Sequence, residues 1–341
     1  MNGVLVTGAG GFIGHHLVNY LKSLGYWVRG ADLKYPEYAA TAADEFMLAD
    51  LRRADSCDAV TRGIDEVYAL AADMGGMGYI SAHHGAILHN NALINLHTIE
   101  AARCNGVGRY LYTSSACVYP EYRQTHPAAV PLREEDAYPA QPQDAYGWEK
   151  LISERLCTHY REDYALATRI VRFHNIFGPQ GSWDGGREKA PAALCRKIAA
   201  AKLKGRNEIE LWGDGQQTRS FCYIDDCVEG LHRLMRSEYH EPLNLGQDRL
   251  ISIDGLADLI AASAGVALHK RHIAGPQGVR GRNSDNTRLR ALLNWEPRIS
   301  LEEGLRRTYA WIEAQVRNTY FSANARKSVA VDRPASAVAP H

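Results

Sequence analysis

Near its start the chain runs Val4-Leu5-Val6-Thr7 into Gly8-Ala9-Gly10-Gly11-Phe12-Ile13-Gly14, and an amphipathic pattern then continues to Leu24. Few folds accept a buried strand, a glycine turn and a helix in that order. Glycines at 8, 11 and 14 allow a tight turn, close backbone approach to a pyrophosphate and packing of the helix on the strand; the helix start offers unpaired N–H groups. The spacing is G-x-x-G-x-x-G, because Ile13 stands where a G-x-G-x-x-G motif has its last glycine. Gly8, Gly11, Phe12, Ile13 and Gly14 are therefore candidate dinucleotide-binding residues. Asp32 ends the next strand pattern, 18 residues after Gly14, where a carboxylate accepts from both ribose hydroxyls and repels a 2′-phosphate. NAD is favoured over NADP.

Strand patterns at 3-7, 26-31, 65-70, 108-114 and 166-173 alternate with helix-length stretches at 12-24, 86-105 and 147-163. This alternation predicts an α/β fold, a Rossmann-type doubly wound parallel sheet with helices on both faces. After Phe173 the texture changes to Gly, Pro, Trp and charge. Residues 1-173 with a return segment at 222-237 are the expected NAD-binding domain. Residues 174-221 and 238-318 are the expected smaller α/β C-terminal substrate domain, with helices at 253-264 and near 301-316. Residues 319-341 lack periodicity and are expected to form a disordered tail.

Charge excludes some partners. Among 341 residues, 39 basic side chains match 39 acidic ones, so there is no basic excess to bind nucleic acid or an anionic membrane. No apolar run approaches the roughly 20 residues that span a bilayer. The chain enters a strand pattern without a leader, which gives the expectation of a soluble, cytoplasmic protein. Seven scattered cysteines without a C-x-x-C pair are expected to be reduced thiols. The histidines lack metal-ligand spacing, no metal is expected, and His174 reads as structural.

Tyr146 and Lys150 lie four residues apart, on one face of a helix. The ammonium and an oxidised nicotinamide would favour phenolate, making Tyr146 a candidate base. In a chain with 18 tyrosines a Y-x-x-x-K string is weak evidence alone. Ser115 strengthens it by ending the fourth strand pattern, at the sheet edge where such folds bind ligands. Together with the glycine turn, this set resembles the extended short-chain dehydrogenase/reductase family of nucleotide-sugar enzymes, over about residues 1 to 315. In that family Ser or Thr, Tyr and Lys surround the sugar's reacting hydroxyl. The resemblance further implies Asp50 beside the adenine, and a homodimer formed through the helices at 86-105 and 147-163.

The stretch Ser114-Ser115-Ala116-Cys117-Val118-Tyr119-Pro120 narrows the chemistry. It lacks the acidic pair that sugar 4,6-dehydratases of this family carry where Ala116 and Cys117 stand. Oxidising a hexose at C4 acidifies the hydrogens at C3 and C5, and Cys117 would share the direction of Ser115 if strand geometry persisted. A thiolate could then act as base. Lys189, in Gly185-Gly186-Arg187-Glu188-Lys189-Ala190-Pro191, is the candidate donor on the opposite ring face.

Three more strings, Ala72-Asp73-Met74-Gly75-Gly76-Met77-Gly78, Trp212-Gly213-Asp214-Gly215 and Val279-Arg280-Gly281-Arg282-Asn283-Ser284-Asp285, resemble the branch of the family acting on GDP-mannose at C3 and C5. That resemblance implies Cys117 and Lys189 as the acid/base pair for C5 and C3, with Ser115 on the C4 oxygen. It implies Gly75, Gly76, Asn175, Glu188 and Lys197 along the sugar cleft. Arg219 and Arg282 would neutralise the diphosphate, with Arg280 as the alternative to Arg282. The implied reaction converts GDP-mannose to GDP-L-galactose, with GDP-L-gulose from C5 inversion alone. The alternative is a 4-epimerase or reductase acting on another nucleotide sugar; a third reading is a non-catalytic binding protein of the same fold.

Overall fold

The computed structural model describes residues 3–331. Strand β1 (Gly3–Thr7) enters the glycine turn and helix α1 (Phe12–Ser23) leaves it. Leu17, Val18 and Leu21 of α1 are fully buried, each contributing roughly 1.5–3 kcal/mol. There follow β2 (Trp27–Asp32), β3 (Glu45–Leu48), α2 (Ala54–Thr61), β4 (Glu66–Ala69), α3 (Met77–Ile80), α4 (His84–Cys104), β5 (Arg109–Ser115), α5 (Ala145–Tyr164) and β6 (Ala167–Phe173). Next come β7 (Ile176–Phe177), α6 (Ala190–Leu203), β8 (Glu208–Trp212), β9 (Thr218–Arg219), β10 (Cys222–Tyr223), α7 (Ile224–Arg236) and β11 (Pro242–Leu245). The chain continues through β12 (Ile251–Ser252), α8 (Ile253–Ala264), β13 (His269–Ile273), β14 (Gly281–Arg282), α9 (Thr287–Leu293) and α10 (Leu301–Val331).

Seven strands form one parallel sheet in the order β11-β6-β5-β4-β1-β2-β3. The order reverses between β1 and β4, so the carboxyl ends of β1, β4 and β5 border the crevice where such sheets bind ligands. One face is covered by α2, α4 and α5, around Leu5, Val67 and Tyr110. The other carries α1 and α7, and its core runs on into α6, α8 and α10. Beyond the crevice, β8 pairs with β13, and β9 lies between β12 and β14.

Two expectations change. Strand β11 pairs with β6, so residues 242–245 rejoin the first unit beyond the return expected at 222-237. Its signal was hidden because Asn244 stands inside it, fully buried. Helix α10 runs to Val331, so the disorder expected from residue 319 is corrected through 331. That stretch has no proline before Pro334 and is rich in helix-forming Ala, Arg and Lys. Residues 332–341 lie outside the described residues. Among the described residues, no helix is long and apolar enough to cross a membrane.

Candidate active site

The glycine turn is built for a close-lying ligand. Gly8 has a positive φ of 71°, and a Cβ on Gly14 would collide with the carbonyl of Gly8. Gly11 caps α1 without any side-chain cap bond, and the first turn carries no acid, so the positive helix end remains free. Asp32 Oδ2 accepts from the Gly10 N–H at 3.0 Å, which ties the carboxylate to the turn, and burial raises its pKa. These features fit a dinucleotide with its pyrophosphate over the turn. Asp50 is held by Arg52 at 2.7 Å, which lowers its pKa.

Helix α5 starts where Asp144 Oδ1 accepts from the Gly147 N–H at 2.8 Å. This cap sets the phase of the helix that carries Tyr146 and Lys150. Lys150 Nζ donates to the Thr113 carbonyl at 3.0 Å and lies 5.6 Å from the Tyr146 ring centroid. Tyr146 is buried, and burial followed by the field of Cys117 raises its pKa well above the usual phenol range, although a hydrogen bond with Ser115 opposes this. Burial likewise lowers the Lys150 pKa, with Glu149 opposing it.

Cys117 is not on the strand. Strand β5 ends at Ser115, and Cys117 sits in a short 3-10 turn, Ala116–Val118, whose start is capped by Ser115 Oγ accepting from the Cys117 N–H at 3.2 Å. The shared strand direction expected from sequence is replaced by this turn. A Cβ on Gly147 would strike the Cys117 carbonyl, so α5 packs directly on the turn and keeps Tyr146 near the thiol.

Lys189 comes from a later stretch of the chain, just before α6, whose first turn holds Pro191. Gly185 and Gly186, both with positive φ, let the loop turn back toward the crevice. The Gly76 N–H donates to the Arg187 carbonyl at 3.0 Å, and a Cβ there would lie 2.6 Å from the Glu188 carbonyl. The close approach that Gly76 permits is therefore to the Lys189 loop, while Gly75 packs on Tyr79. Lys189 is exposed, and desolvation by the neighbouring chain lowers its pKa, with Cys117 opposing.

Arg282 Nη1 donates to Cys117 Sγ at 3.3 Å. Arg219 lies close by, and burial together with Arg282 pushes its pKa down. Neither arginine has a carboxylate partner among the described residues; their guanidinium groups bond to carbonyl, amide and thiol groups instead. Arg280 instead pairs with Asp214 at 2.9 Å, which separates it from Arg282. Glu188 is engaged by Arg196 at 2.6 Å, and Lys197 Nζ donates to the Glu210 carbonyl at 2.7 Å, where burial lowers its pKa. Asn175 has a φ of 48°, and its Nδ2 donates to the Ser220 carbonyl at 2.8 Å.

Ser115, Cys117, Tyr146, Lys150, Lys189, Arg219 and Arg282 thus converge, whereas Glu188 and Lys197 are engaged by neighbouring groups. Sequence reasoning assigned no role to Asp144 or Gln124. The first was legible as an N-cap before a helix; the second carries no motif. Among the described residues, no group of three His, Cys, Asp or Glu side chains could hold a metal.

Fold and site define a class. Residues 4–246 match the NAD dependent epimerase/dehydratase family, and the chain belongs to it, with NAD as its cofactor. The chain is 50% identical over 315 residues to the GDP-mannose 3,5-epimerase of Arabidopsis thaliana, covering 92% of this chain and 82% of that one. It is equally similar, over the same shares, to GDP-mannose 3,5-epimerase 1 of Oryza sativa subsp. japonica. Among solved structures, it resembles the UDP-glucuronic acid 4-epimerase of Bacillus cereus in complex with UDP-glucuronic acid and NAD, with a TM-score of 0.78 at 26% identity. That match covers 92% of this chain and 99% of the other.

Proposed function

We propose that this protein epimerises GDP-mannose at C3 and C5, giving GDP-L-galactose, with GDP-L-gulose from C5 inversion alone. The observation that carries the reading is the convergence of Cys117 and Lys189, from different parts of the fold, beside Tyr146 and two arginines without carboxylate partners. Identity of 50% to enzymes named for that reaction supports it.

Gly8, Gly11, Phe12, Ile13, Gly14 and Asp32 would hold NAD, with Asp50 toward the adenine. When bound, it supplies a reversible hydride acceptor for C4 of the hexose. Ser115 orients the C4 hydroxyl and Tyr146 takes its proton, with Lys150 as the nearby cation that favours the ionised phenol. The C4 carbonyl then acidifies the hydrogens at C3 and C5. Cys117 and Lys189 exchange protons at those carbons from opposite faces of the ring. A lowered Lys189 pKa suits an amine that must both give and take a proton. Arg219 and Arg282 neutralise the diphosphate, a task that suits forked guanidinium contacts. Gly75, Gly76 and Asn175 shape the sugar cleft, while Glu188 and Lys197 border it.

Incubation of the purified protein with GDP-mannose, followed by chromatography and NMR of the nucleotide sugars, tests the reading. Both L-hexose products are expected; a product altered only at C4, or net oxidation or reduction, contradicts it.

The protein is further proposed to act as a homodimer through α4 and α5, whose Leu88, Leu96, Trp148 and Ile152 are exposed. A cytoplasmic location is supported by seven unpaired thiols, which suit a reducing compartment.

A further inference from the structure

We infer that Gln124 is a positioning residue that aims Arg282 at Cys117 without cancelling its charge; this deepens the reading above and rests on it. Gln124 is 1% exposed and stands at the end of a short turn, Glu121–Arg123, which follows the Cys117 segment. Its amide Nε2 donates to the carbonyls of Tyr119 and Pro120, at 3.0 and 3.1 Å. With both donors directed at carbonyls, Oε1 must point the other way. It accepts from Arg282 Nε at 2.5 Å, and the far side of the same guanidinium donates to Cys117 Sγ at 3.3 Å. The Gln124 main chain adds a second tie, its carbonyl accepting from the N–H groups of Arg280 and Gly281 at 2.9 and 3.2 Å. One buried side chain therefore joins the turn carrying the thiol to the strand carrying the arginine.

The choice of an amide is physically pointed. A carboxylate at the same place would still accept from Arg282 but would form a buried ion pair, spending the charge that an anionic diphosphate requires, and would lose both donors to the Tyr119 and Pro120 carbonyls. An amide orients the guanidinium and leaves its charge for the diphosphate. A purely structural role would require only that the two carbonyls and two N–H groups be satisfied.

The test uses the full-length protein with Cys104→Ser as parent, because Cys104 is the exposed cysteine apart from half-buried Cys117. Native-state alkylation of Cys117 by iodoacetamide is followed by peptide mass spectrometry in Gln124→Glu and Gln124→Met. Both variants are expected to slow alkylation about tenfold, the scale of one charge-assisted hydrogen bond. In steady-state assays Gln124→Glu is expected to raise KM for GDP-mannose about tenfold with a smaller change in kcat, whereas Gln124→Met lowers kcat as Arg282 loses its anchor. Alkylation within twofold of the parent in Gln124→Glu overturns the assignment, whatever happens to stability. That variant keeps the side-chain length and the acceptor toward Arg282 while losing the two donors, so an unchanged rate decides the matter even if Gln124→Met fails to fold. Slowed alkylation in a protein whose parent does not turn over GDP-mannose would support the Gln124 role and reject the proposed substrate.

Discussion

Cys117 and Lys189 reach the crevice by different routes, one from a turn at the end of β5 and the other from a glycine-hinged loop before α6. Replacing either with Ala is expected to cut epimer formation by on the order of 10²–10⁴-fold, the usual range for a general acid or base. Hydride removal at C4 should persist and be visible in a single turnover at 340 nm. Equal product from Cys117→Ala would exclude the thiol from the reaction. Tyr146→Phe should abolish both signals. A different kind of residue, His174, is fully buried; its Nε2 donates to Asn244 Oδ1 at 3.0 Å and burial lowers its pKa to about 3. The unfolded imidazole titrates near 6.5. As pH falls from about 6.5 toward 3 the unfolded chain takes up a proton that the native protein refuses, so stability is lost over that window and fully present above it. Urea titrations should show His174→Gln removing about 1.4 kcal/mol per pH unit of this slope below pH 6.5. An unchanged slope would mean that His174 does not carry it.

Among the elements, α1 and α5 fix the site by their first turns. Gly14→Ala places a methyl against the Gly8 carbonyl, a clash expected to cost about 1–3 kcal/mol and to strip NAD from the purified protein. The ultraviolet spectrum of the denatured supernatant would report this, and full NAD content would contradict it. Asp144→Ala removes the α5 cap and should cost about 1 kcal/mol and lower kcat, with Asp144→Ser restoring both. Strands β1, β2, β4, β5 and β6 were legible in the sequence because each carries Val, Leu, Ile, Tyr or Ala at buried positions and alternates with helix-length stretches. β3 and β11 were not, one being a short edge strand and the other holding a buried Asn244. The triad and glycine turn were legible because their spacing is local. The Gln124 tie depends on Arg282, a residue distant in sequence, which no local pattern records; the turn that carries Cys117 and the grip of Arg196 on Glu188 are local but follow no recognisable motif.

At the level of the whole molecule, the sheet supplies the cofactor turn and the Ser115, Tyr146 and Lys150 set, and the later chain supplies Lys189, Arg219 and Arg282. The proposed reaction needs groups from both parts on one sugar. The exposed apolar side chains on α4 and α5 include Ile152, 62% exposed, which the proposed dimer would bury. Sedimentation should find a dimer for the parent and a monomer for Ile152→Glu; a monomeric parent would remove the proposed assembly. All of this turns on whether a C4 carbonyl is used to exchange the two neighbouring hydrogens. NMR of the nucleotide sugars after turnover of GDP-mannose in D2O answers that: deuterium at both C3 and C5 but not at C4 is the expected pattern, and no label at either C3 or C5 would contradict it.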